Sequence, residues 1–409
     1  MTSWRRPSGV RYDWAVASPH TAVGAPPGLG SRSFRSMLVA SFAGFGGYAL
    51  LLPVVPLWAS VGGASEFGAG ATTGVLMLST VGTQLAVPWL LRRFGHRAVL
   101  AAGMLLLGAP TPLYALAADL PLLLGVSLVR GIGFGLVTVT GSALIAELVK
   151  SPELGRASAR YGLAAGLPQL VLLPTGVGVA GLVGFGPLFV LAGALPVMAA
   201  LAAPWIRVPA RPVPEPVGHA RWRAARAAAG PWLAMFTCSV AQGGLITFLP
   251  LAVPGGALLV PAALLATTAG ALLGRLAAGD LTDRYGMAGR LMRVGVLSAA
   301  AGMVTELFAV GGSGALVAAA VVVGAGLVGI GFGVVQNDSL VVMFGAAGAG
   351  GYGAASAAWN IAYDTGTGVG ATGLGAVAQP LDFAAAFGVS AALLVAILPT
   401  VARSRPPGR

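Results

Sequence analysis

Twelve apolar stretches, each long enough to cross a bilayer, follow one another along this chain with only short polar segments between them. A spanning helix takes about 20 mostly apolar residues, because its backbone must satisfy its own hydrogen bonds in a medium that offers none. The stretches run over 36–58, 70–91, 98–118, 121–146, 162–183 and 186–206, then over 230–252, 258–279, 294–311, 315–336, 354–378 and 383–402. Of the 409 residues 56% are hydrophobic and 9% charged. Ordinary soluble domains carry about 25% charge. No soluble fold of this size hides so much apolar surface.

The positions of the charges decide how the chain is threaded. An even number of crossings puts both termini on one side, and 22 of the 24 basic residues then fall on that side. They include Arg92, Arg93 and Arg97, then Arg156 and Arg160, then Arg284, Arg290 and Arg293. The other two, Arg130 and Arg275, lie inside apolar stretches, and the opposite face carries acids only, such as Glu66 and Asp119. Basic loops stay on the cytoplasmic side, so the expected topology has both termini in the cytoplasm of a cell (inner) membrane. The net charge of +12 therefore reads as contact with an anionic lipid leaflet, with no nucleic acid as partner. Residues 1–35, rich in Pro, Gly, Ser and Arg, read as a disordered cytoplasmic tail without a signal peptide.

The two halves of the chain repeat each other. Gly46-Gly47 with Pro53 matches Gly243-Gly244 with Pro250, and Gly131-Ile132-Gly133-Phe134-Gly135 is identical to Gly329-Ile330-Gly331-Phe332-Gly333. Arg93-Phe94-Gly95 resembles Arg284-Tyr285-Gly286, and Thr175-Gly176-Val177-Gly178 resembles Thr367-Gly368-Val369-Gly370. In a Gly-rich membrane protein any one of these matches is open to chance. Four in the same order, at offsets of 191 to 198, favour a parallel duplication of six plus six. The expected fold is thus an all-α membrane protein with twelve transmembrane helices in two pseudo-symmetric six-helix bundles. The bundles cover 36–206 and 230–402, joined by a cytoplasmic linker at 207–229 and followed by a short tail at 403–409.

Between the eighth and ninth stretches stands Gly279-Asp280-Leu281-Thr282-Asp283-Arg284-Tyr285-Gly286. This resembles the loop motif of the major facilitator superfamily. The likeness extends from Ser36 to Ala402 through Pro53 and Pro56, Arg130-Gly131, and Pro152-Glu153-Leu154-Gly155-Arg156-Ala157, and is similar to the twelve-span drug:proton antiporter branch. The resemblance implies a conformational latch at Gly279, Asp283, Arg284 and Gly286, with Arg275 grouped beside them. Asp283 is expected against the positive N-terminus of a facing helix. Arg275, a turn before Gly279, is expected to reach the water at the cytoplasmic end. The first-half counterpart departs from the motif, with Pro88 in place of the first Gly and Arg92 in place of the Asp. In the fifth stretch only Pro174 and Gly178 fit the exporter-type Gly-Pro pattern, since Leu173 replaces a Gly.

Ionisable groups inside the membrane cost about 2.5–3.5 kcal/mol each on insertion scales, so those retained are candidates for function. Asp364, on one helix face with Asn360 and Gly368, is the expected proton-coupling carboxyl, joined by Arg130 and by Glu306 nearer the outer end. The alternative for Asp364 is a purely structural bond through Asn360 or Tyr363. Gln242, Asn360, Tyr48, Thr138, Gln336 and Trp359 are the substrate-binding candidates, because the resemblance implies that the first, fourth, seventh and tenth spans line the cavity. No catalytic site, metal or cofactor is expected. His20, His96 and His219 all lie in tail or loops, Cys238 is alone, and no phosphate-cradling loop with Lys is present. The reading is a secondary transporter, acting as a monomer, that exports a small, partly hydrophobic organic molecule in exchange for protons. Its alternatives are an importer or facilitator of a metabolite and a non-transporting receptor of the same fold.

Overall fold

A computed structural model describes residues 28–149, 153–201, 203–206, 221–253, 258–347 and 352–403. Most of the expected linker, most of the N-terminal tail and Pro152 lie outside the described residues. Twelve α-helices stand among the described residues: α1 (Arg32–Leu51), α2 (Val54–Val61), α3 (Glu66–Gly108), α4 (Leu120–Leu148), α5 (Leu154–Val183) and α6 (Phe185–Ala200) in the first half. The second half holds α7 (Arg221–Ala252), α8 (Leu259–Tyr285), α9 (Leu291–Ala309), α10 (Ala315–Ala347), α11 (Tyr352–Ala378) and α12 (Phe383–Arg403).

Helices and crossings do not correspond one to one. Pro53, at the N-terminal cap of α2, divides the first crossing into α1 and α2. In the other direction, α3 runs 43 residues, roughly 65 Å of helix, which is about twice the hydrocarbon thickness. It turns back at Gly95, whose φ of 76° breaks the helical backbone, so α3 makes the second and third crossings. Ten helical segments among the described residues are long and apolar enough to span. The double crossing of α3 and the addition of the less apolar α11 bring the crossings to twelve. Ser31, Ser65, Asp119 and Asp382 cap the N-termini of α1, α3, α4 and α12 through side-chain oxygens that accept backbone N–H bonds. Several helices outrun the apolar stretches: α7 begins at Arg221, and α10 continues to Ala347. Hydropathy measures the bilayer, while the hydrogen-bonded helix continues past it.

The duplicated pentapeptide shows why the two halves fold alike. A Cβ on Gly131 would lie 2.1 Å from the Leu76 carbonyl oxygen on α3, and one on Gly329 would lie 2.0 Å from that of Thr267 on α8. Two residues on, across the helix, Gly133 and Gly331 press in the same way against the third crossing of their own half, at Leu107 and Gly295. Without a hydrophobic drive between helices inside lipid, such close backbone contact is what holds the bundle together. The two halves meet mainly toward the end away from the termini, where Gly70 of α3 touches Ala371 of α11 and Gly178 of α5 approaches Pro261 of α8.

Candidate functional site

The centre of the bundle is built from α1, α3 and α4 on one side and α8, α10 and α11 on the other. Asp364, 4% exposed, lies midway along α11, and its Oδ2 accepts a 2.6 Å hydrogen bond from Gln84 Nε2 on α3. This bond joins the two halves. Gln84 Nε2 also reaches Thr138 Oγ1 on α4 at 3.4 Å, and no partner satisfies its Oε1 among the described residues. Gln84 was not among the residues singled out from sequence. A glutamine deep inside the second apolar stretch was the available signal. Asn360 does not bond Asp364, because its amide donates to Ser356 O on its own helix.

Arg130, 2% exposed, is held by three neutral acceptors. Its Nε donates to Leu107 O at 3.2 Å, its Nη2 to Gly47 O at 3.1 Å, and its Nη1 faces the Tyr114 hydroxyl at 3.5 Å. The guanidinium also sits 5.5 Å from the Tyr114 ring centroid, and no carboxylate lies within ion-pair distance among the described residues. Arg130 thereby ties α1, α3 and the turn at Tyr114 to α4. Tyr48, fully buried, stands in electrostatic range of Arg130 on one side and of Tyr363 and Asp364 on the other.

The repeat-related phenylalanines find aromatic partners on non-equivalent helices, α1 and α11. Phe134 stacks on Tyr48 at 4.1 Å in the first half, and its repeat partner Phe332 lies 5.6 Å from Tyr363 in the second. Trp359 extends the second cluster, 6.1 Å from Tyr363, and donates its indole N–H to Ser339. Gln242 is buried on α7 with an unpartnered Oε1, and Gln336 is half-buried on α10. Glu306 stands apart from this centre. It is completely buried on α9 against Gly324 of α10, and neither carboxyl oxygen has a hydrogen-bond partner among the described side chains and backbone.

A sequence profile places these features in a family, matching residues 37–371 of this chain to the Major Facilitator Superfamily. The chain belongs to the Major Facilitator Superfamily. It is thus a multi-pass membrane protein of a family of transporters. Solved structures agree on the fold. The nucleoside transporter NupG matches with a TM-score of 0.69 at 14% identity, covering 91% of this chain and 99% of that one. A bacterial homologue of the human lysosomal transporter Spinster, inward-facing and occupied, matches with a TM-score of 0.73 at 15% identity over 91% and 96% of the two chains. Its unoccupied inward-facing form gives 0.67 at 15% identity over 91% and 94%. No curated protein matches the sequence.

The superfamily loop at the terminus-side end of α8 stands open to solvent. Arg284 Nε pairs with Asp280 Oδ1 at 2.6 Å within the same helix, Asp283 is exposed, and Gly286 closes α8 in the left-handed conformation that a helix C-cap requires. Among the described residues Asp283 therefore bonds no helix N-terminus. A residue unrecognised in the sequence takes that position at α9: Asp338 of α10, fully buried, accepts from the Gly289 and Met292 N–H groups at 2.7 and 2.8 Å. A carboxylate bonded to otherwise orphaned N–H groups contributes about 1–3 kcal/mol. Asp338→Ala is expected to lower the thermal midpoint of the purified protein and to loosen the α8–α9 loop, measured by faster hydrogen exchange at Gly289 and Met292.

Arg275 is exposed in the terminus-side half of α8. It lies ten residues before the end of α8, roughly 15 Å along the helix from that end, and four residues before the apolar stretch ends at Gly279. It shares a face with Leu264, Thr268 and Ala271, which point inward, and not with the exposed Leu273 and Leu276. Tyr363 of α11 is in electrostatic range of it.

Proposed function

We propose that this protein is a proton-coupled secondary transporter that exports a small, partly hydrophobic organic molecule by alternating access. The observation that carries the reading is the Asp364–Gln84 bond, a titratable carboxyl that links the two halves at the centre of the bundle. An ionised Asp364 accepts a charge-assisted bond from Gln84, and a protonated one holds it less strongly. Protonation therefore changes the free energy of keeping the halves together, which is the differential contact that coupling demands. Tyr48, Thr138 and Gln84 on one side and Gln242, Gln336, Asn360 and Trp359 on the other supply the surfaces for the solute. Asp283, Arg284, Gly279 and Gly286 serve as a terminus-side latch in the opposite conformation, and Arg130 fixes the first-half scaffold. The cytoplasmic placement of both termini in the cell membrane and a monomeric working unit complete the proposal, on the strength of the arginine-bearing loops.

Inverted membrane vesicles energised by respiration test it. Adding transported solutes to vesicles containing the protein should collapse the pH gradient, and an uncoupler should abolish uptake of the same solutes. Uptake that follows the solute gradient alone, indifferent to the uncoupler, would establish the facilitator alternative.

A further inference from the structure

The central charges do not balance. Arg130 and Arg275 both face the interior, and neither pairs with a carboxylate among the described residues; Asp364 shares the surroundings of Tyr48 with Arg130 and those of Tyr363 with Arg275. Glu306 lies between α9 and α10, and Asp338 is committed to backbone N–H groups of α9. A guanidinium stays charged at every accessible pH, and the single charge of Asp364 balances at most one of the two.

The two arginines are not equivalent. Arg130 is sealed and directed at Leu107 O, Gly47 O and the Tyr114 hydroxyl. Arg275 makes no hydrogen bond and no ion pair among the described residues, and it is open to water although it lies on the inward face of α8. It sits about 15 Å along its helix from the terminus-side end, and Asp364 about 18 Å along α11 from the same side, so both occupy one level of the bundle. Tyr363, next to Asp364 in sequence, links that level to Arg275, and Tyr48 faces it from the other half. The stacked Tyr48–Phe134 pair and the Phe332–Tyr363–Trp359 group pack at this place from both halves, buried except for the half-buried Tyr363.

We infer that the transported molecule is an organic anion, with its carboxylate, phosphate or sulfate received by Arg275 and its aromatic or otherwise flat apolar body held between the Tyr48 and Tyr363 clusters. This rests on the reading of the protein as a transporter with a central site, and it narrows the solute to one charge class. Arg275 has a planar fork of donors without a partner, the geometry that carboxylate and phosphate oxygens match in pairs. A monoanion there cancels the excess charge, whereas a cationic solute adds to it. The aromatic walls give the body of the solute area without specifying its outline.

The full-length protein in lipid nanodiscs tests this with four probes of one shape: 2-naphthoate, 2-naphthyl phosphate, neutral 2-naphthamide and cationic 2-naphthylmethylammonium. Binding is followed by tryptophan fluorescence and confirmed by calorimetry. On the unmodified protein at least one of the two anions should bind tenfold or more tightly than the amide and the ammonium, and the tighter of the two identifies the headgroup. Arg275→Gln should erase the preference, and Arg275→Lys should restore most of it. Asp364→Asn should keep the anion preference even though it abolishes proton-driven transport, so a failure of proton coupling leaves this inference standing. Equal or tighter binding of the ammonium by the unmodified protein would overturn it, as would an anion preference that survives Arg275→Gln.

Discussion

Asp364→Asn is expected to stop proton-driven transport while leaving the protein folded and inserted. The asparagine is nearly the same size and its amide still bonds Gln84, so the contact between α3 and α11 survives. What disappears is the change in that contact on gain and loss of a proton. Coupling free energies between sites are typically about 1–3 kcal/mol, so energised flux should fall roughly 5- to 150-fold. Downhill exchange of solute between the two sides should persist. The measurement is paired: solute accumulation against a gradient, and solute exchange at equilibrium, in the same vesicles. Loss of both at normal protein level would assign Asp364 to solute binding, and loss of neither would make the Asp364–Gln84 bond purely structural.

Gly70→Val is expected to have the second large effect, acting on conformation and not on chemistry. A Cβ at this position would lie 2.0 Å from the Ala371 carbonyl oxygen of the opposite half, and neither backbone has room to yield. Overpacking of this kind costs about 1–3 kcal/mol. The cost falls only on the arrangement in which the halves meet at the end away from the termini. The population should therefore move roughly 5- to 150-fold toward the arrangement open at that end, with flux falling accordingly. A cysteine introduced at Thr372, which faces Gly74 across the same seam, should become more reactive to an impermeant thiol reagent in the Gly70→Val background. The native Cys238 is fully buried and should contribute no background signal. Gly82→Val, at a position with open space around it, should leave flux unchanged.

The broad architecture was legible because the bilayer imposes a strong rule on sequence. Apolar length and arginine placement report the crossings, and the repeated pentapeptide reports the duplication through the glycines that need it for close contact. The membrane depth of Asp364 and Arg130 was legible for the same reason, since charges are rare enough there to stand out. Their partners were not legible. Gln84 and Asp364 are 280 residues apart, and only the docking of one half on the other brings them together. Asn360 has the right helical spacing to face Asp364, yet its amide turns to the nearer carbonyl of Ser356, a local choice that periodicity does not register. Arg275 read as an interface residue because the apolar stretch ends near Gly279. The helical period turns it toward the face of Leu264, Thr268 and Ala271 and away from the exposed Leu273 and Leu276. Asp338 lies two residues past the tenth apolar stretch, where a charge does not stand out, and its carboxylate holds the start of α9.

Rocking of the two halves about the centre is the claim from which the rest follows, and an interspin distance tests it directly. Spin labels on cysteines replacing Arg93 and Arg290, both exposed at the terminus-side end and on opposite halves, report the opening there by pulsed electron resonance. The account predicts two distance populations in lipid whose ratio shifts between acidic and neutral pH, and a ratio that no longer responds to pH once Asp364 is replaced by Asn. A single, pH-independent distance in the otherwise unmodified protein, or a pH response that survives Asp364→Asn, would contradict it.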